Sequence, residues 1–213
     1  MKSKAFEIIA DMSKDEDVSK IVERALRKLK KIDVLINCAG ILKFGGLQHE
    51  DIVETFDRVI SVNLKATLAM TKQALPALIE SKGCIINISS VASSYVTRNP
   101  LVYNISKAGV TNFTKFVALE LATHGVRVNC ISPGPVNTDI WEKAGMAKDD
   151  VRINMVERLP LKQYVKAEEI AELAVYLASD NTASITGSDF VVDAGMLLGK
   201  SADLSEVSTM NLN

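Results

Sequence analysis

Short apolar runs alternate with longer amphipathic stretches along the 213 residues. Residues 5–9 (AFEII) read as a short strand. Ser13-Lys14-Asp15-Glu16 has the form of a capping box, with Glu three residues after Ser. Val18, Ile21, Val22, Ala25, Leu26 and Leu29 then fall on one stripe of a helix, with Lys and Arg on the solvated remainder. Residues 33–37 (DVLIN) form a buried-strand run that ends at Ala39-Gly40. A long helix is expected over 51–79, with Pro76 near its end. Cys84–Ile88 (CIINI) is the next strand and stops at Ser89-Ser90. Residues 101–123 read as helix, and Gly125 suits its C-terminus. Residues 126–131 (VRVNCI) are a strand that runs into Ser132-Pro133-Gly134-Pro135. Residues 139–160 are mixed and polar, a mobile helical excursion. Ala167–Ala178 is a helix, 188–192 a last strand, and the tail after Gly199 is polar.

Strands alternating with helices argue for a parallel sheet with helices on both faces. In such sheets ligands bind beyond the carboxyl ends of the strands. The segments at those ends are Asp11, Asn37 to Gly40, Ser89-Ser90 and Pro133 to Thr138. They are polar or rich in Gly and Pro, as a binding rim requires.

Composition narrows the class. Hydrophobic residues are 47% of the chain, enough for a real core rather than disorder. The formal net charge is −1, which leaves no basic footprint for nucleic acid and no polybasic membrane signal. No apolar run approaches the ~18 residues of a membrane helix. Glu7 breaks the only apolar stretch near the N-terminus, which excludes an ordinary secretory signal. Cys38, Cys84 and Cys130 are odd in number and far apart, the pattern of buried free thiols in a reducing cytoplasm. Two histidines, His49 and His124, are too few for a multi-histidine metal site, and no metal is expected. No GxSxG elbow accompanies them, which argues against a hydrolase.

Tyr103 and Lys107 stand four apart on one helix face. A fixed ammonium beside a phenol favours the phenolate. Bringing a tyrosine from ~10 to neutrality takes roughly 4 kcal/mol, within reach of a lysine together with a cationic nicotinamide. A phenol so tuned exchanges protons at neutral pH. Ser90, at the end of a buried strand, can hold a substrate oxygen for that transfer; alone it also reads as an ordinary turn serine. Asn63 sits mid-helix among apolar residues, where its amide competes for backbone bonds and needs a partner.

Asn37-Cys38-Ala39-Gly40, Asn63, Ser90, Tyr103-x-x-x-Lys107 and Pro133-Gly134 together resemble the short-chain dehydrogenase/reductase family, in order and spacing. The resemblance covers about residues 4–198 and is nearest to 3-oxoacyl-reductase-like and carbonyl-reductase-like members. It implies a Rossmann-like α/β fold in one domain, 1–198, followed by a tail, 199–213. It implies Tyr103 as general acid/base, Lys107 as its tuner and holder of the nicotinamide ribose, Ser90 as orienter of the substrate oxygen, and Asn63 as anchor of a proton-relay water. Asp11 matches the acid that contacts adenine. Asn37, Ala39 and Gly40 match the segment that steadies the sheet and lines the adenosine site. Pro133, Gly134, Val136 and Thr138 match the segment around the carboxamide, and 139–160 the substrate-covering loop, where Trp141, Met146 and Met155 hint at an apolar ligand. The implied partners are a carbonyl or alcohol substrate, NAD or NADP, and further copies of the chain in a dimer or tetramer packed through 51–79 and 101–123.

The chain departs from the family at its start. The first strand, the glycine-rich turn, the helix after it and the second strand have no counterpart, and no GxxxGxG or GxGxxG occurs. The sequence thus reads as an N-terminally truncated family fold. The turn normally brings backbone N–H groups to the pyrophosphate, and the second strand reads the ribose 2′ position, so NAD and NADP are not distinguished. The family's two missing strands occupy the middle of its sheet. Residues 33–37 are therefore expected at an unpaired apolar edge, unless 5–9 slides in beside them. Two functions follow: an oxidoreductase whose sequence is incomplete, or a catalytically weak or inactive subunit acting through oligomerisation. Cys38 replaces the family's usual Asn and is expected to be buried.

Overall fold

The computed structural model describes residues 5–96, 100–146 and 155–199. Parts of the expected excursion (147–154) and nearly all of the tail (200–213) lie outside them. Four parallel strands form one sheet in the order β1-β2-β3-β4. They are β1 (Val34–Asn37), β2 (Cys84–Ile88), β3 (Arg127–Pro133) and β4 (Asp189–Val192). Val34 stands opposite Cys84, Ile85 opposite Val128, and Cys130 opposite Asp189.

Helices cover both faces. On one, α1 (Asp15–Leu29), α3 (Ala66–Ser81) and α4 (Leu101–Leu121) enclose Val22, Met70, Leu78, Ile85, Leu121 and Val128. On the other, α6 (Ala167–Ala178) packs Ala174 and Leu177 on Cys84, Ile86 and Ile131. Nearly all of β2 and β3 is buried, which explains their unbroken apolar runs. Burying each large aliphatic side chain in these layers contributes about 1.5–3 kcal/mol. The described remainder includes α2 (Ile52–Ile60) and a short α5 (Ile140–Lys143).

Three expectations are corrected. Residues 5–9 form no strand; Ile9 is 83% exposed, and among the described residues β1 pairs with β2 alone. Ser13 does not cap α1: the capping position is Lys14, and the Ser13 hydroxyl donates instead to the Asp11 carboxylate at 2.8 Å. The helix over 51–79 is divided, α2 and α3 being joined by a π turn at Ser61–Lys65.

The open edge of β1 was expected and is present. By register Val34 and Ile36 share a face with Cys84 and Ile86, but α6 does not reach them, and they stand 38% and 46% exposed. An apolar recess of about 530 Å³ runs between this edge, α1 and α3, lined among others by Ile21, Val34 and Met70.

Candidate active site

The carboxyl ends of β1, β2 and β3 and the first turns of α4 meet on one rim. Ser90 directly follows β2 and begins a short 3₁₀ turn at Val91–Ser93, its hydroxyl accepting the Ala92 N–H at 3.2 Å. The same hydroxyl lies 3.5 Å from the Pro133 carbonyl, which joins the ends of β2 and β3. Tyr103 and Lys107 project from the first two turns of α4. The Lys107 ammonium sits over the Tyr103 ring, 5.7 Å from its centroid, and donates to the Ile88 carbonyl at 2.8 Å. The Ser89 hydroxyl donates to the Lys107 carbonyl at 2.9 Å, fastening α4 to the end of β2.

Burial acts on both titrating groups. It pulls Lys107 down to about 8, against a smaller upward pull from the Cys38 and Cys130 thiols. It pushes the Tyr103 phenol up, opposed by a hydrogen bond with the Ser90 side chain. The expected tuning calls on a lysine together with a cationic nicotinamide, and the protein groups by themselves leave the Tyr103 phenol above its ordinary value. Desolvation outweighs the Ser90 hydrogen bond, because a buried phenolate is costlier than a neutral phenol.

Asn63 lies in the π turn and is 1% exposed. Its amide oxygen accepts the Ile41 N–H at 2.8 Å, and its amide nitrogen donates to the Ile41 carbonyl and to Ser106 Oγ, both at 3.0 Å. The partner demanded by a mid-helix asparagine is thus the chain just after Gly40. Thr67 Oγ1 donates to the Asn63 carbonyl at 3.0 Å.

The remaining rim residues divide into two groups. Asn37 donates to the Asn87 amide oxygen at 2.8 Å, and Asn87 to Thr114 at 2.9 Å, an amide chain that runs from half-buried Asn37 to buried Thr114 and links β1, β2 and α4. Asn37, Cys38 and Ala39 line a recess of about 240 Å³ together with Met12. Cys38 is exposed there, not buried, because it follows an edge strand. The Asp11 carboxylate is turned onto its own loop, where the Ser13 N–H and hydroxyl hold its pKa below the usual value. At the other end, Gly134 donates to the Val192 carbonyl at 2.8 Å. A Cβ on Gly134 would lie 2.7 Å from Asp193 Cα, so this close crossing admits only glycine. Val136 bridges to Val165, its carbonyl accepts from the Trp141 indole at 2.9 Å, and the Thr138 N–H donates to the same carbonyl at 3.0 Å.

The rim suits the nicotinamide end of a dinucleotide. A point where a Cβ on Gly40 would lie is 3.4 Å from Lys107 Nζ and 3.5 Å from Asn63 Oδ1, so glycine leaves a cradle open beside the ammonium. Of the three donors on that ammonium, one is engaged with Ile88, leaving donors suited to ribose hydroxyls. The pyrophosphate end has no glycine-rich turn among these residues. Among the described residues no cluster of His, Cys, Asp and Glu could hold a metal, and no helix is long and apolar enough to cross a membrane.

Sequence reasoning missed Ser106 and Asp193. Ser106 carried a signal, since a serine inside a helix competes for backbone bonds as Asn63 does. Asp193 accepts the Gly195 and Leu197 N–H groups, each at 2.8 Å, and so fixes the chain beyond β4; nothing in spacing marked it.

A family model described as Enoyl-(Acyl carrier protein) reductase matches residues 1–197. The chain is 36% identical to the L-fucose dehydrogenase of Mus musculus over 97% of its length and 78% of that protein's. It is 35% identical to the 3-oxoacyl-[acyl-carrier-protein] reductase FabG of Thermotoga maritima, covering 89% of this chain and 76% of that one. A crystal structure of a short-chain dehydrogenase/reductase of unknown function from Caenorhabditis elegans, solved with cofactor, superposes with a TM-score of 0.84 at 32% identity. That match covers 91% of this chain and 76% of the other.

Proposed function

The chain belongs to the short-chain dehydrogenase/reductase family, and on that premise we propose that it moves hydride between a nicotinamide dinucleotide and the carbonyl or alcohol carbon of a small molecule. Its class is that of an NAD(P)-dependent oxidoreductase; the catalytic assignments that follow are our own. The observation that carries the reading is the meeting of Ser90, Tyr103, Lys107 and Asn63 on one rim.

When bound, the dinucleotide supplies the hydride. In the reductive direction the Ser90 hydroxyl holds the substrate oxygen and the Tyr103 phenol gives it a proton. The Lys107 ammonium stabilises the phenolate left behind and holds the ribose. Asn63, fixed against Ile41, orients a water that returns the proton. Gly40 keeps this passage open. Pro133, Gly134, Val136 and Thr138 embrace the carboxamide, while Asn37, Ala39 and Gly40 line the adenosine side, with Asp11 beside them. Residues 1–198 act as one domain. The chain works in a reducing cytoplasm, as three free cysteines suit. It forms a homo-oligomer through the α2–α3 and α4 faces, where Val53, Phe116 and Leu119 stand exposed. Neither nucleic acid nor membrane is a partner.

The test is NADH- or NADPH-dependent reduction of a panel of aldehydes, ketones and 3-oxoacyl thioesters. Turnover above background on at least one is expected; binding of both dinucleotides without turnover on any would count against the reading. These 213 residues offer no glycine-rich phosphate turn, so dinucleotide binding by the purified chain is expected to be much weaker than in a relative that has one. Micromolar binding would show that the turn is dispensable here.

A further inference from the structure

We propose that Ser106 is a positioning residue that sets Asn63, and through it the proton passage beside Lys107. This rests on the reading that Tyr103 and Lys107 carry out proton transfer.

Ser106 is 0% exposed and one residue before Lys107 on α4. A serine hydroxyl carries one hydrogen, and Ser106 gives it to the Tyr103 carbonyl at 2.7 Å. Toward Asn63 it can therefore only accept, and the Asn63 amide nitrogen donates to it at 3.0 Å. The bonds run one way: Asn63 amide to Ser106 hydroxyl to Tyr103 carbonyl. The other amide hydrogen goes to the Ile41 carbonyl, and the amide oxygen takes the Ile41 N–H. Both hydrogens of a buried amide are thus satisfied, one by the loop after β1 and one by the helix that carries Tyr103.

Packing fixes the height of this contact. Gly109 lies three residues beyond Ser106, and a Cβ there would meet Leu64 Cδ2 at 2.8 Å, so α4 rides directly against the π turn. The Asn63 amide oxygen and the Lys107 ammonium both border the point above Gly40, at 3.5 and 3.4 Å. A serine that bonds only its own helix would be an ordinary back-bonding residue. Ser106 instead joins α4 to the π turn, whose Asn63 in turn bonds the chain after β1, at the place where Asn63 and Lys107 approach a common void. Removing the hydroxyl orphans one buried amide hydrogen and loosens the hold of α4 on the Asn63 side chain beside Gly40.

The test compares Ser106→Ala, Ser106→Thr, Asn63→Ala and the Ser106→Ala/Asn63→Ala double variant in the full chain. Without any cofactor, the Asn63 side-chain amide is read by ¹⁵N NMR. Ser106→Ala is expected to speed its hydrogen exchange at least tenfold, and Ser106→Thr to restore protection. In carbonyl reduction, Ser106→Ala is expected to lower kcat about tenfold with KM for substrate and dinucleotide within twofold. Threonine should regain most of that loss, and the double variant should turn over no more slowly than Asn63→Ala. Unchanged amide exchange in Ser106→Ala overturns the proposal. So does an unchanged kcat where Asn63→Ala is impaired, or losses that multiply in the double variant. Full turnover in Asn63→Ala and Tyr103→Phe removes the catalytic reading itself, and the role of Ser106 with it.

Discussion

The Lys107 ammonium stands 5.7 Å from the centre of the Tyr103 ring, and the two groups are displaced in opposite senses by the same burial. Lys107 is pulled down to about 8 and Tyr103 is pushed above its ordinary value. At neutral pH the lysine is charged and the tyrosine protonated, the pair of states that carbonyl reduction needs. In the proposed mechanism the lysine loses, as pH rises through about 8, the charge that would steady the phenolate. The rate of reduction is expected to fall over that range, read from a pH–rate profile with saturating dinucleotide. A flat profile between pH 7 and 10 would count against Lys107 as the tuner.

The same burial enters folding stability. Lys107 has a lower pKa folded, about 8, than its ordinary 10.5, so between those values the unfolded chain binds the extra proton. Stability then rises with pH in that window and the full penalty applies below it. Its size is on the order of 3 kcal/mol. Lys107→Met is expected to lose this pH dependence, so its stability relative to the native chain should be greatest below pH 8 and decline toward pH 10.5. Parallel urea melts across pH check this; an offset that does not vary with pH would contradict it.

Gly134→Ala drives a methyl to within 2.7 Å of Asp193 Cα and 2.9 Å of its Cβ. Both neighbours belong to a turn held by the two Asp193 carboxylate bonds, so neither gives way easily. A loss of about 1–3 kcal/mol is expected by chemical denaturation, as for other overpacked sites. It should be accompanied by weaker nicotinamide binding. A variant as stable as the native chain would mean that β3 and β4 part freely there.

How far the sequence disclosed this molecule depends on whether the cause was local. The strands at 33–37 and 84–88 and helix 167–178 were legible because their apolar runs and periodicity are local signals. Gly125 also closes its helical segment where expected. The strand at 5–9 was not: AFEII has the composition of a strand, but pairing needs a neighbour, and the edge of β1 remains unpaired. The π turn at Ser61–Lys65 escaped because it arises from Asn63 seeking Ile41, 22 residues away. Spacing singled out Tyr103 and Lys107 and a strand end singled out Ser90, and the fold brings the three to one rim. Their burial, which pushes Tyr103 up and pulls Lys107 down, is a tertiary effect that spacing does not report. Cys38 was taken as buried because the run before it is apolar, although that run lies at an open edge.

The most direct test of a proton delivered by a phenol is Tyr103→Phe, assayed for carbonyl reduction beside dinucleotide binding followed by NAD(P)H fluorescence. The expected result is turnover reduced at least a thousandfold with binding changed less than threefold. Reduction persisting at a tenth or more of the native rate, with binding intact, would contradict the account.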